Sequence, residues 1–209
     1  QSQQRAVAAI DSGKFKDEII PVTVHSRKGD TVYDTDEYPK RDVSLEKLAK
    51  LKPSFKEGGM VTAGNASGMN DAASGVILME EEKAKELGVP VLARIVSTAT
   101  TGVEPEYMGI GPVSASKKAL EKAGLTIEDM DLFEINEAFA AQAVACAREL
   151  GIDQEKLNVN GSGISLGGAT GSRLVITLMY ELKRRGQKYG LATLCAGGGM
   201  GTAVVIEVL

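Results

Sequence analysis

The stretch "DLFEINEAFAAQAVACAREL", residues 131–150, decides the fold. "DLFEI" reads as a short strand, and "NEAFAAQAVACAREL" reads as a helix that follows it at once. The same rhythm continues on both sides. Upstream, "VLARIVSTATTG" predicts a strand and "SASKKALEKAG" a helix, with Ser114 as its expected N-cap and Gly124 at its end. Downstream, "KLNVN" predicts a strand. "SRLVITLMYELKRRG" then places Leu174, Val175, Leu178, Met179 and Leu182 along one helical stripe, with basic residues in the last turn, where they complement the helix dipole. "YGLATLCAGGGMGTAVVIEVL" predicts two strands joined by a glycine run. The fold class is therefore α/β, with helices covering a largely buried sheet and a boundary expected near residue 90.

Ahead of that boundary the pattern is looser. "SQQRAVAAIDSGKF" reads as a helix already under way, with no cap before it, so the chain is expected to begin inside a larger protein. "EIIPVTVHSR" and "TVYDTDEY" flank Lys28, Gly29 and Asp30 as a strand pair around a turn. "SLEKLAKLKPSF" predicts a short helix stopped before Pro53, and "GMVTAGNASGMNDAASGVILM" a strand, a small-residue turn and a second strand. "EEEKAKELG" predicts a polar helix ended by Gly88.

Composition narrows the function classes. The 209 residues are 43% hydrophobic and 25% charged with a net charge of −4, which fits a soluble globular protein. Nucleic-acid binding is disfavoured, because no basic field is present to displace counterions. No window approaches the roughly 20 apolar residues of a membrane span, the start lacks the order of a signal peptide, and the cytoplasm is the expected location. Cys146 and Cys195 lie in different settings, so reduced thiols are expected rather than a disulfide framework.

Several short elements could carry chemistry. Asn136, in "NEAF", stands at a strand end and a helix start, where it either caps the helix or acts on a ligand, since reactive groups in open α/β sheets collect there. In "LCAGGGMG", residues 194–201, Cys195 ends a strand and glycines follow directly. Peptide N–H groups after Cys195 could then face a developing oxyanion; the alternative is a tight hairpin beside a structural thiol. Cys146, in mid-helix among alanines, is expected in the core, and His25, the single histidine, on the surface. In "NVNGSGISLGGATGSR", residues 158–173, Gly161, Gly163 and Gly167 follow a strand and precede a helix. Their spacing is G-x-G-x-x-x-G, however, not the dinucleotide G-x-G-x-x-G.

"GNASGMNDAASGVILM", "NEAFAAQAVA", "NVNGSGISLG", "GATGSR" and "GLATLCAGGGMGTAVVIE", in this order over essentially the whole chain, resemble the C-terminal half of a thiolase of the acetyl-CoA acetyltransferase type. The resemblance implies a layered αβαβα fold, with residues 1–69 part of the loop domain that covers coenzyme A. It makes 70–90 the closing strands of the N-terminal half and 91–209 the C-terminal half. It implies a Claisen condensation of two acetyl-CoA to acetoacetyl-CoA, or the reverse thiolysis, through an acyl-cysteine. Coenzyme A thioesters are then substrates, with no metal and no permanently bound cofactor, in a homodimer or homotetramer.

Motif by motif, the resemblance makes Cys195 the general base and acid at the thioester Cα, and Asn136 the holder of a water in the enolate oxyanion hole. Gly197 becomes the N–H donor to the acyl-enzyme oxyanion. Ser67 matches a hydrogen-bonding position for the pantetheine arm; Phe139, Leu51 and Phe55 match its apolar contacts. Lys40, with Arg41 beside it, stands where the family places a basic residue near the nucleotide end. Two departures accompany these matches. The nucleophilic cysteine belongs to an N-terminal half that this chain does not contain, in the same or another chain. The family's Gly-His-Pro is also missing, because "SLG" runs directly into "GATGSR" at Gly167 and Gly168. The chain is accordingly expected to be inactive alone, to expose apolar surface, or to serve instead as a non-catalytic thiolase-like coenzyme A-binding or assembly module.

Overall fold

The computed structural model describes residues 1–168 and 170–209. A four-stranded mixed sheet forms its centre, from β3 (Ala93–Gly102), β4 (Leu132–Ile135), β5 (Tyr189–Ala196) and β6 (Met200–Val208), in the order β3-β6-β5-β4. β4 and β5 are parallel, while the other pairs are antiparallel. α4 (Gly111–Ala123) and α5 (Ala140–Leu150) cover one face, where Ala119, Leu120, Cys146 and Leu150 pack on Phe133, Ile135 and Leu191. α6 (Thr170–Arg185) covers the other, setting Leu174, Leu178 and Leu182 on Leu132, Ala192 and Ile206. The α/β class and the apolar stripe of α6 are thus as the sequence predicts.

The polar neighbours of that stripe tie down the earlier part of the chain. α1 (Ser2–Asp11) packs Ala6 and Ala9 with Phe15 and Leu166. The segment after it brings Lys14 to Glu181 on α6, at 3.1 Å. Glu181 also accepts from Asn160 at 2.9 Å, from Arg185 at 2.7 Å and from Arg184. Burial alone would raise its carboxyl, but these donors outweigh burial and hold it below the ordinary range. One turn earlier, Thr177 donates to Glu18 at 2.9 Å. Beyond this seam lie the exposed hairpin of β1 (Val22–Ser26) and β2 (Gly29–Tyr33), then α2 (Leu45–Ala49), capped by Ser44, and α3 (Glu81–Leu87), ended by Gly88 at φ +65°.

The structure departs from the sequence reading in four places. Residues 60–80 contain no strand: they make only the isolated bridges Pro53 to Thr62 and Ala66 to Phe139, so no closing strand is formed over 70–90. The composition suits a strand, but a strand needs a ladder partner, and among the described residues none runs beside this segment. Its Ile77 and Leu78 are 88% and 69% exposed, an apolar surface of the kind expected. "KLNVN" likewise contributes one parallel bridge, Phe133 to Leu157, because its backbone turns at Asn158, φ +48°. Ser114 is not an N-cap: α4 starts at Gly111, with Pro112 in its first turn, and the Ser114 hydroxyl bonds Gly111 O and Thr101. Asn136 does not cap α5 either, since that helix starts after Phe139.

Burial pushes the Glu18 carboxyl up to about 7, partly offset by Thr177 and by the charges of Arg173 and Arg184. A carboxyl raised this way keeps in the folded chain a proton that the unfolded chain releases, so its stability contribution declines as pH climbs from 4.5 towards about 7. Urea denaturation of the protein should accordingly give a midpoint that falls across this window, and Glu18→Gln should flatten the decline; a midpoint that rises there in both proteins contradicts the assignment.

Candidate active site

The parallel pairing of β4 with β5 brings two chemical residues to one edge of the sheet. Ile135 lies opposite Thr193, and the Asn136 N–H donates to Thr193 O at 3.0 Å. Asn136 therefore follows the carboxyl end of β4, and Cys195 lies at the carboxyl end of the neighbouring strand, the place where open α/β sheets collect ligands. β5 turns into β6 through Gly197, Gly198 and Gly199, the last two at φ +87° and +89°. Only glycine fits at 199, where a Cβ would stand 2.2 Å from Val103 O. A Cβ at Gly197 would meet nothing within 4 Å, so its backbone borders open space.

The Cys195 thiol is buried, and burial pushes it up from its ordinary value. Cys146 is a core thiol as expected: it is fully buried, donates to Gly109 O at 3.3 Å, and is raised to about 11, mainly by burial. Both cysteines are free. The Asn136 amide is buried, and its Oδ1 accepts no hydrogen bond. Gly163 makes room for it, because a Cβ there would approach Oδ1 to 2.6 Å. A buried carbonyl oxygen left without a donor is costly unless a ligand or a water completes it.

The loop 161–168 that supplies Gly163 is fastened along its length. Gly161, φ +86°, lets α1 approach so closely that a Cβ would stand 2.9 Å from the Ala6 Cβ. The Ser162 hydroxyl donates to Ile135 O at 3.2 Å, and the Gln3 amide to Ile164 O at 2.9 Å. Glu137 accepts from the Ser2 hydroxyl at 2.5 Å and from the Ile164 N–H at 3.3 Å. At the far end the Gly167 N–H donates to Asp36 at 2.7 Å, and Gly168 rests on the Asn70 carbonyl, which would stand 3.0 Å from a Cβ. The single histidine, His25, is elsewhere: it sits on the exposed hairpin, paired with Asp30 at 2.8 Å.

The remaining sequence-identified positions gather beside α5. The Ser67 N–H donates to Ala138 O at 3.0 Å, which places exposed Ser67 against Phe139, and the Phe55 ring meets the Phe139 ring edge-on at 6.0 Å. Leu51 lies over Gly64, and both Leu51 and Lys40 line a cavity of about 740 Å³ between α1, α2 and α5. The Lys40 ammonium stands 5.2 Å from the Tyr38 ring. Arg41 is engaged instead, holding Asp11 through both guanidinium nitrogens. Four neighbours escape sequence reasoning. Asp36 and Tyr38 looked like the tail of a hairpin strand, yet Tyr38 covers Gly68 and Asp36 holds the loop. Glu137 passed as part of a helix start. Glu134 carried the one available signal, a carboxylate inside a strand that is otherwise apolar at its core.

Comparison with known proteins identifies the family. Residues 89–208 match the model of the thiolase C-terminal domain and residues 1–82 that of the thiolase N-terminal domain. The chain belongs to the thiolase family. Its likenesses are of the acetyl-CoA acetyltransferase type: it is 58% identical to the acetyl-CoA acetyltransferase of Syntrophomonas wolfei over 214 residues, covering 100% of this chain and 54% of the relative. It is 60% identical to that of Chromobacterium violaceum, covering 99% and 54%. The crystal structure of the Bacillus anthracis acetyl-CoA acetyltransferase superposes with a TM-score of 0.97 at 53% identity, covering 100% of this chain and 54% of that one. Human mitochondrial 3-ketoacyl-CoA thiolase in complex with CoA gives 0.90 at 46%, covering 100% and 53%. The chain spans about half the length of the relatives it matches.

Because both thiols are raised by burial, alkylation of the folded protein by iodoacetamide should be slow at neutral pH and accelerate only above about pH 8.5, the ordinary thiol value. Peptide mapping of the labelled protein checks this; fast labelling of Cys195 at pH 7 would show a thiolate that this environment does not stabilise.

Proposed function

We propose that, in the intact protein, this chain supplies the proton-transfer half of an acetyl-CoA acetyltransferase site, which condenses two acetyl-CoA to acetoacetyl-CoA or runs the reverse thiolysis. The observation that carries the proposal is the buried, unpartnered Asn136 Oδ1 beside the carboxyl end of the strand that bears Cys195. A water that satisfies Oδ1 with one O–H keeps its second O–H for an enolate oxygen. Cys195, as thiolate, removes the proton from the acetyl Cα, and the electron pair moves onto the thioester oxygen at that water. In the reverse direction the Cys195 thiol returns the proton to Cα. Burial keeps the thiol the resting form, which suits the donating direction. The Gly197 N–H, bordering open space, is the donor to the oxyanion of the acyl-enzyme.

The nucleophile that carries the acyl group is a cysteine of the missing N-terminal half, in the same chain or a partner chain, since Cys146 is sealed in the core and Cys195 has the other role. Residues 1–69 then form part of the lid over coenzyme A, 70–90 the segment that completes the N-terminal half, and 91–209 the C-terminal half. Ser67 bonds the pantetheine arm, Phe139, Phe55 and Leu51 flank it, and Lys40 meets the nucleotide end. The working unit is a cytoplasmic homodimer or homotetramer that needs no permanent cofactor. A second reading, a non-catalytic coenzyme A-binding or assembly module, is favoured by one observation: the loop at Gly167 and Gly168 carries no imidazole, and His25 is remote on the hairpin. Loss of one such oxyanion donor costs about 100- to 1000-fold in rate.

The two readings separate in D₂O. With acetyl-CoA and the intact protein, NMR should show deuterium entering the acetyl methyl group, and Cys195→Ala should slow this at least about 100-fold. Coenzyme A binding without any exchange in the unaltered protein would defeat the acyltransferase and favour the binding module.

A further inference from the structure

The turn that follows the exposed hairpin, "TDEYPK" at 35–40, is built around one carboxylate. Asp36 Oδ1 accepts from the Tyr38 N–H two residues on, at 2.9 Å, the local bond that sets such a turn. Its Oδ2 accepts from the Gly167 N–H at 2.7 Å, 131 residues away along the chain. The same turn reaches the loop a second time. Gln3 takes the Lys40 N–H on its Oε1 at 2.6 Å and donates from Nε2 to Ile164 O at 2.9 Å. Tyr38 lies on Gly68, where a Cβ would stand 2.2 Å from its Oη, and the adjacent Ser67 N–H donates to Ala138 O at 3.0 Å. Residues 136–139 are therefore flanked by two walls. Gly163 of the loop borders the Asn136 amide and Ser67 borders Ala138, and the turn at 36–40 meets both walls.

We propose that Asp36 is a positioning residue for Asn136, keying the turn 36–40 as a brace that holds the loop 161–168 against that amide. The bond count requires a carboxylate. Asp36 accepts from two N–H groups with its two oxygens, whereas an asparagine of the same shape offers one acceptor and one donor and must give up one of them. The bond to Tyr38 closes a short local turn, so the bond to Gly167 is the one released. A charged acceptor is then replaced by a stranded N–H in a partly buried place. Gly163 lies on the same loop, and a shift of its backbone changes the space that the unpartnered Asn136 Oδ1 faces. Asp36 bonds the loop and its own turn, so its effect reaches the amide through the loop.

Two measurements on the intact protein test this, with Asp36→Asn against the neighbouring carboxylate change Glu37→Gln. Hydrogen–deuterium exchange over 164–168 should speed up by about tenfold in Asp36→Asn, with α5 and the β5–β6 hairpin unchanged, and stay within about twofold in Glu37→Gln. In ¹H–¹⁵N spectra the side-chain amide pair of Asn136, identified by its loss in Asn136→Asp, should move or broaden in Asp36→Asn alone. Loop exchange within about twofold of the unaltered protein, an unmoved Asn136 signal, or an equal effect of Glu37→Gln overturns the proposal. The unchanged exchange of α5 serves as the check that Asp36→Asn, which keeps the side chain's shape, is folded. The catalytic consequence rests on the acyltransferase reading: there, Asp36→Asn should lower kcat about tenfold with KM for acetyl-CoA within about twofold, and a loss confined to KM would contradict positioning. Exchange and the Asn136 signal need no turnover, so an unaltered protein that is inactive while both respond to Asp36→Asn defeats that reading and leaves the brace standing.

Discussion

The parallel ladder between β4 and β5 registers Ile135 against Thr193, and the Asn136 N–H continues it by one bond to Thr193 O. Parallel pairing matters here because it brings two carboxyl ends to the same edge, so a residue after one strand and a residue at the end of the other come to lie side by side. An antiparallel pair would put them at opposite edges. The crossover that parallel pairing requires runs through α5 and α6, and their apolar stripes cover the two faces of the sheet. The site is thus a by-product of the way the core is covered. Cys195 is positioned by β5 and by the hairpin to β6, where Gly199 lets the chain pass within reach of Val103.

A second layer of the structure is polar and joins distant parts of the chain. α6 presents Thr177 and Glu181, four residues apart on one face of the helix, to the segment after α1. At Glu181 every oxygen is satisfied, and the carboxylate is charged at neutral pH. At the other end, Glu18 and Glu134 are held near or above neutrality by burial. The seam therefore changes character along its length, from a saturated ion network to a sparsely bonded one, and the sparsely bonded end is the one that abuts the loop beside Asn136.

Much of this was legible in the sequence. The stripe of Leu174, Leu178 and Leu182, the glycine-linked hairpin and the burial of Cys146 follow from periodicity and residue size alone. Elements whose partners are remote were not. "GVILM" has strand composition, but pairing depends on a neighbour that composition cannot supply, and here it stays exposed. The same holds for caps: Ser114 and Asn136 have cap chemistry, yet Pro112 and Phe139 set where the helices begin. At the candidate site, Cys195, Asn136 and Gly197 were singled out because their neighbours form recognisable motifs. Asp36, Tyr38 and Glu137 were not, because each acts across more than twenty residues of chain on a loop that sequence places elsewhere.

What we propose is spatial: Cys195 serves the acetyl Cα and Asn136 the thioester oxygen of one substrate, from the ends of adjacent strands. A crystal structure of the intact protein with acetyl-CoA tests it most directly. The acetyl Cα should lie in contact with the Cys195 Sγ, and a water on the Asn136 Oδ1 should donate to the thioester oxygen. A thioester held away from Cys195, with the Asn136 carbonyl satisfied by the protein itself, would contradict it.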